Sequence, residues 1–115
     1  HMKRRKRTIR VVYCKAGRST KILEIEPNLK MMQGLVGGNI ETYPYEIAPM
    51  VFVMNEEAKL QHARPNRFIA HGRDMICGDF FVAALGKNED GEDDIIGLTE
   101  DQERLVMATV ETGRI

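Results

Sequence analysis

Two apolar runs constrain the possible folds of this chain most, because each has the composition of a buried β-strand. Met50–Asn55 is apolar at five consecutive positions and is predicted to form a central strand of a sheet. Met75–Leu85, interrupted by Gly78 and Asp79, is predicted to contain a core strand, with the glycine as a bulge or a point of close backbone approach. Neither run approaches the roughly 18 apolar residues of a membrane-spanning helix. We therefore expect a sheet-based fold and no membrane association.

Other extended segments flank these runs. Thr8–Lys15 and Thr20–Glu26 are rich in β-branched residues and are separated by a turn around Gly17, which predicts a β-hairpin. Ile40–Tyr43 and Arg67–Ala70 are predicted to be short extended pieces. Together with the two core runs, these segments predict a mostly antiparallel sheet.

Two helices complete the expected fold. Asn28–Val36 carries apolar residues at helical spacing, and the following Gly37 is typical of a helix end. Thr99 and Gln102 have the spacing of a capping box and indicate the start of a final helix. We predict a small α+β domain in which both helices cover one face of the sheet.

The 115 residues suit one domain. Residues 1–2 are interpreted as a cloning remnant, residues 3–7 as a basic N-terminal leader, and residues 8–115 as a single α+β domain. The two cysteines, Cys14 and Cys77, lie far apart in sequence, which does not resemble the paired cysteines of small secreted domains. A cytoplasmic location is therefore expected.

The net charge is zero, but the charges are unevenly distributed. Residues 1–21 hold nine basic residues and no acidic one, whereas residues 86–115 hold nine acidic and three basic residues. The leader, Lys3, Arg4, Arg5, Lys6 and Arg7, has the composition of a phosphate-contacting segment of a nucleic-acid-binding protein. The alternative is a solvated tail or one that complements the acidic end of the chain.

The segment from Asn55 to Arg67 contains the main candidate binding residues. Arg64 and Arg67 flank a turn, where a guanidinium can bind phosphate or carboxylate, and Asn66 can hydrogen-bond a ligand. Asn55 and Glu56 begin this segment. The alternative is structural: Asn66 forms a turn with its own backbone, and Arg67 pairs with Glu56 or with its neighbour Glu57.

Tyr43 and Tyr45, on either side of Pro44, are candidate stacking residues for a ligand ring or an interface, and the alternative is that they cover the edge of the sheet. Motifs for catalysis are not found. The two native histidines, His62 and His71, lack the spacing of metal ligands, and Ser19 lacks the sequence context of a serine nucleophile. No metal, cofactor or catalytic residue is predicted, and enzymatic activity is not favoured.

Several short motifs occur in the order found in a known family. They are N-E-E-A-K-L at Asn55–Leu60, P-N-R at Pro65–Arg67, G-x-F-F-V at Gly78–Val82, L-V-G-G at Leu35–Gly38 and L-T-x-x-Q at Leu98–Gln102. With this order the chain resembles a family of small uncharacterised domains in bacteria, phages and mobile elements. It departs from the family at Ala58, where glycine is usual, and at Arg64, where proline is common.

The resemblance implies an accessory role, such as counter-defence, without a transferable activity. Combined with the candidate residues, it leads to the hypothesis of a non-enzymatic protein that binds or sequesters a small anionic, nucleotide-like ligand, with a second subunit of a homo-oligomer as a further expected partner. One alternative is an inhibitor of a host enzyme that acts through protein–protein contacts. The other is nucleic-acid binding through Lys3–Arg7.

Overall fold

A computed structural model describes residues 7–115 of the chain. The first hairpin consists of β1 (Ile9–Cys14) and β2 (Lys21–Ile25), as the sequence predicts. Helix α1 (Leu29–Val36) begins after Asn28, whose side-chain oxygen accepts a hydrogen bond from the Met31 backbone N–H. The helix ends at Gly37, which adopts a left-handed conformation with φ of 83°.

Six further strands and a short 3₁₀ turn precede the last helix. The first five strands are β3 (Ile40–Pro44), β4 (Met50–Asn55), β5 (Pro65–Ile69), β6 (Asp74–Cys77) and β7 (Phe80–Lys87), with the 3₁₀ turn at Ala70–Gly72 between β5 and β6. The last elements are β8 (Asp93–Ile96) and α2 (Glu100–Thr112). The capping box predicted at Thr99 and Gln102 starts α2.

The main sheet has the order β2-β1-β7-β4-β3, and β8 also pairs with β7. All described strand pairs are antiparallel. Strands β5 and β6 form a separate hairpin. Near the C-terminus, Arg114 forms an isolated antiparallel bridge with Arg67 of β5. These features confirm the α+β class.

The two helices lie on opposite faces of the sheet, so the prediction that both cover one face is wrong. Met32 and Val36 of α1 pack in one apolar cluster with Val11, Val53 and other residues of that face. On the other face, α2 and the β5–β6 hairpin contribute to a second cluster, whose buried members are Val12, Cys14, Tyr45, Met50, Phe52, Ile69, Ile76, Phe80, Val82, Ala84, Leu98, Val106 and Val110. Because successive strand residues face opposite sides, strands with unbroken apolar runs need a cover on both sides.

The segment Met75–Leu85 does not form one strand. Cys77 ends β6 of the small hairpin, and Phe80 begins β7 in the centre of the main sheet. Gly78 between them has a φ of 78°, which turns the chain from one sheet to the other. Strand β8 (Asp93–Ile96) is not among the extended segments predicted from the sequence. Ala58 does not adopt the positive φ that glycine at this position would favour.

In the described part of the chain, no helix has both the length and the apolar character needed to cross a membrane.

Candidate functional site

The P-N-R segment is buried, although Asn66 and Arg67 were predicted to face a ligand. Both residues are 1% exposed. The pairing of β5 with β6 shifts register between Pro65 and Arg67. An irregularity of this kind can direct two consecutive side chains to one side of a strand. Asn66 and Arg67 are buried together, whereas Pro65 and Phe68 on either side are exposed.

Arg67 has no free hydrogen-bond donor. Its Nε donates to the Val110 carbonyl at 3.2 Å, and its Nη1 donates to the carbonyl and side-chain oxygens of Asn66. Its Nη2 donates to the Arg18 carbonyl at 3.2 Å and to Glu111 Oε1 at 2.9 Å. These five contacts equal the number of N–H groups on a guanidinium. Arg67 therefore holds α2 and the β1–β2 turn against β5, and its ion-pair partner is Glu111 instead of Glu56 or Glu57.

The amide of Asn66 completes this network. Its Nδ2 donates to the Cys14 carbonyl at 2.9 Å and to the Gly78 carbonyl at 2.8 Å. Both amide N–H groups are thus used within the protein, and the amide oxygen accepts from Arg67. Burial raises the pKa of the neighbouring Cys14 thiol to about 12, which keeps the thiol neutral. This buried hydrogen-bond network of Asn66, Arg67 and Glu111 joins β1, β5 and α2 and is structural; it is called the lock below.

The carboxylate of Glu111 makes this lock sensitive to acid. A hydrogen bond from the Thr20 backbone N–H, at 2.9 Å, and the pairing with Arg67 lower the pKa of Glu111. When a carboxyl pKa is lower in the folded state than in the unfolded state, its stabilising contribution is present at neutral pH. That contribution is lost as the pH falls from the ordinary carboxyl range through the lowered pKa.

We therefore expect Glu111→Gln to reduce stability at about pH 7 and to matter progressively less as the pH falls below about 4, because the wild-type carboxyl is then neutralised first in the unfolded state and, through the lowered pKa, in the folded state. The measurement is the difference in unfolding free energy between the two proteins by urea titration across this pH range. Glu89→Gln, on an exposed loop, is the matched control and should retain the wild-type profile. A wild-type-to-variant difference that stays constant with pH would contradict this assignment.

A cleft of about 740 Å³ lies beside the lock. It is bounded by the end of β3, the β5–β6 hairpin and the last turns of α2. Its lining includes Tyr43, Pro44, Tyr45, Glu46, Phe52, Arg67, Phe68, Ile69, Ala70, His71, Gly72, Thr109, Val110, Thr112 and Gly113. This volume falls within the range of about 300–1,000 Å³ that is typical of small-molecule pockets.

Aromatic rings form much of the cleft. Phe52 contacts Tyr45 with a ring-centroid distance of 4.9 Å and Tyr43 with one of 6.5 Å. Tyr43 is 41% exposed and Phe68 is 52% exposed, so each ring offers free surface at the cleft. Exposed aromatic rings beside a buried aromatic floor suit the binding of a flat apolar group.

The Tyr45 hydroxyl is the polar feature of this floor. Tyr45 is 6% exposed, and its Oη has no partner at normal hydrogen-bond distance and angle among the described residues. The Thr109 hydroxyl makes a looser hydrogen-bonding contact with it, which opposes the rise in pKa that burial gives Tyr45, and donates its own proton to the Leu105 carbonyl at 2.7 Å. A buried hydroxyl without a partner carries a free-energy cost that a hydrogen-bonding ligand would relieve.

The rim of the cleft carries strained backbone and an acidic residue. Ala70 and His71 both adopt left-handed conformations, with φ of 52° and 56°. Such conformations are costly for residues other than glycine and are common at binding sites. His71 Nε2 lies 3.7 Å from Glu46 Oε1 across the rim. The C-terminal end of α2, where the helix dipole is negative, also borders the cleft.

The structure brings only some of the predicted ligand residues together. Tyr43, Tyr45 and the internally bonded Arg67 line the cleft, whereas Arg64 packs its guanidinium over Gly17 and Asn66 bonds within the lock. Asn55 is 7% exposed.

The Asn55 side chain accepts from the Glu57 backbone N–H and donates to Gln61. Glu56 is exposed and is not part of the cleft lining. In the basic leader, Lys3, Arg4, Arg5 and Lys6 lie outside the described residues. Arg7 lies 3.7 Å from Asp94 in an ion pair, measured between Nη2 and Oδ2.

Sequence reasoning missed Phe52, Phe68 and the α2 residues of the cleft. A signal existed for Phe68, since it is a large apolar residue next to two polar positions in a predicted extended segment. The contribution of Thr109 and Thr112 has no local signal, because it depends on how α2 packs against the hairpin.

The structure is a small α+β domain with a cleft lined by aromatic rings, and residues 7–115 contain no cluster of three or more His, Cys, Asp or Glu side chains placed to hold a metal ion. The family model described as domain of unknown function DUF3846 matches residues 9–111, so the chain belongs to that family. No curated protein and no solved structure gives a significant match.

Proposed function

We propose that this chain is a non-enzymatic binding domain whose cleft takes the flat heterocyclic ring of a small nucleoside-like molecule. The observation that carries the proposal is an aromatic cleft of ligand size with free surface on Tyr43 and Phe68, together with the buried Tyr45 hydroxyl, whose contact with Thr109 falls short of a normal hydrogen bond. A nucleobase has a flat face for Tyr43 and Phe68 and ring-edge acceptors for the Tyr45 hydroxyl.

The charges around the cleft favour the ring over a phosphate as the recognised group. All five donors of Arg67 are used within the protein, and its charge is paired with Glu111. Glu46 and the C-terminal end of α2 add negative potential at the rim. An anionic group on the ligand would therefore have to point away from the cleft. Of a nucleotide-like ligand, the cleft would recognise the base and not the phosphate.

Thermal denaturation with adenosine, guanosine, cytidine and uridine, and with the corresponding 5′-monophosphates, tests this proposal. At about 100 times its Kd, a ligand adds about 2.7 kcal/mol, which raises the Tm of a domain this size by roughly 10 °C. We expect at least one nucleoside to stabilise the protein, and its monophosphate to bind no more tightly. The proposal is contradicted if no nucleoside shifts the Tm, or if binding requires the phosphate.

Tyr45→Phe provides a sharper test of the same site. Loss of one hydrogen bond to the ligand should weaken binding by about 3- to 10-fold, while the ligand-free protein should be as stable as the wild type or more so. Tyr13→Phe is the matched control, because its hydroxyl lies on the other face and contacts Asp79. Equal affinities of wild type and Tyr45→Phe would remove the phenol from the binding site.

The proposed biological role follows from the resemblance to domains of phages and mobile elements. A domain that binds a nucleoside-like signal without converting it would act in the host cytoplasm by sequestering that signal, which is a form of counter-defence. This role predicts release of the unchanged molecule when the protein is denatured, and mass spectrometry of the released material checks it.

A further inference from the structure

Strand β3 is an edge of the main sheet, and its outward-facing backbone groups can be assigned. The Tyr45 N–H donates to the Met50 carbonyl at 3.0 Å, and the Asn39 carbonyl accepts from the Glu56 N–H at 3.0 Å. Both contacts point from β3 to β4. Because these directions alternate along a strand, the odd-numbered residues of β3 bond to β4 and the even-numbered residues face outward.

The outward-facing residues of β3 are Ile40, Thr42 and Pro44. No backbone hydrogen bond between these outward groups and another described strand is present, since β3 pairs with β4 alone. Ile40 and Thr42 each offer an N–H and a carbonyl, whereas Pro44 offers only a carbonyl. A row of unpaired groups of this kind is a template for another strand.

We propose that a second copy of this chain pairs with β3 in antiparallel orientation, centred on Thr42, to form a symmetric dimer with one continuous sheet. In this register the two Thr42 residues exchange both of their hydrogen bonds, and each Ile40 N–H donates to the Pro44 carbonyl of the other copy. Four backbone hydrogen bonds result, and the missing N–H of Pro44 removes only one further donor from each side.

The neighbouring registers are less favourable. Centring the pair on Glu41 would place the two Glu41 carboxylates directly opposite each other, which is destabilising. Centring it on Tyr43 would pair Thr42 with Pro44, so that only the two Thr42 N–H groups could donate. The Thr42-centred register instead places Glu41 opposite Tyr43, so that it alone combines four hydrogen bonds with no directly opposed like charges.

The dimer would also extend the cleft, and in this respect it goes beyond the proposed ligand site. Tyr43 lines the cleft, and residues directly opposite on paired strands share a face of the sheet. Glu41 of the second copy would lie opposite Tyr43 at the cleft edge, and the two Tyr43 rings would be diagonal neighbours.

Oxidative cross-linking of the full chain tests the register. Directly hydrogen-bonded residues on antiparallel strands have Cα atoms about 5.5 Å apart, which is compatible with a disulfide. Thr42→Cys should therefore form a covalent dimer at least about tenfold faster than Leu60→Cys, a matched control on a side chain that is 81% exposed. Equal rates would overturn the register, since Leu60 reports random collision. The native Cys14 and Cys77 are buried.

Sedimentation velocity without ligand tests the association itself. Thr42→Pro removes an outward N–H and leaves the bonds to β4, so its dimer Kd should rise about tenfold. Thr42→Val keeps the N–H and should retain the wild-type Kd. Tyr43→Glu places a carboxylate opposite Glu41 and should weaken the dimer with the backbone unchanged.

A wild-type protein that stays monomeric at all concentrations would overturn the dimer, as would a dimer insensitive to both Thr42→Pro and Tyr43→Glu. Either result would leave the ligand proposal standing, because nucleoside binding is measured separately by thermal shift. Conversely, failure of every nucleoside to bind would not affect the sedimentation result.

Discussion

Arg67→Ala is expected to destabilise the domain by about 3–5 kcal/mol, which is a large part of the 5–15 kcal/mol typical of a small protein. The substitution removes a buried cation and all five of its hydrogen bonds. The carbonyls of Val110 and Arg18 and the Glu111 carboxylate would each lose a donor, and a cavity would form between α2 and β5. Urea denaturation followed by circular dichroism measures the effect.

Two variants separate the role of the guanidinium from that of a positive charge. Arg67→Lys keeps the charge near Glu111 but cannot supply five donors in a planar arrangement, so an intermediate loss is expected. Arg64→Ala removes an exposed guanidinium from the same segment and should change stability by no more than about 0.5 kcal/mol. If Arg67→Ala proved as stable as Arg64→Ala, the buried network would not be the lock described above.

The same experiment distinguishes the two interpretations of Arg67 that the sequence allows. A ligand-binding arginine would leave the fold intact when truncated and would abolish binding. A structural arginine would lower stability with or without ligand. The geometry predicts the second outcome, because no donor of Arg67 is free for a ligand.

Local signals predicted most individual elements of the fold. The Thr99–Gln102 capping box, the glycine at the end of α1 and the hairpin around Gly17 all depend on residues close in sequence. Such signals act through backbone conformation and short-range hydrogen bonds, so they are readable without knowledge of the rest of the chain.

The arrangement of the elements was less predictable. Whether Gly78 makes a bulge within one strand or a turn between two sheets depends on which strands are available as partners. The placement of the helices follows a similar rule. The unbroken apolar run of β4 indicates cover on both faces, but it does not say which helix provides it.

The sequence pointed to some residues of the cleft and not to others, and the difference has a physical reason. Tyr43 and Tyr45 are apolar rings next to a proline at a strand end, and they do line the cleft. Asn66 and Arg67 have the side chains of a binding site, but their burial depends on a register shift in β5 and on the approach of α2. A polar motif in a sequence can serve a ligand or the protein's own backbone, and only tertiary packing distinguishes the two.

Asn66→Ala is expected to cost about 2–3 kcal/mol, because it removes both donors that reach the Cys14 and Gly78 carbonyls. These carbonyls belong to different segments, one at the end of β1 and one at the connection between β6 and β7. Unpaired buried acceptors each carry a desolvation cost, and Arg67 also loses an acceptor. Chemical denaturation measures the loss.

Asn39→Ala is the matched control for this substitution. Asn39 is exposed, and its side-chain oxygen accepts from Gln33 at 3.2 Å. Its truncation should therefore change the unfolding free energy by no more than about 0.5 kcal/mol. Because Asn66 and Arg67 share a hydrogen bond, the double alanine variant should lose less than the sum of the two single variants. Strict additivity would mean that the amide and the guanidinium act independently, contrary to a single network joining β1, β5 and α2.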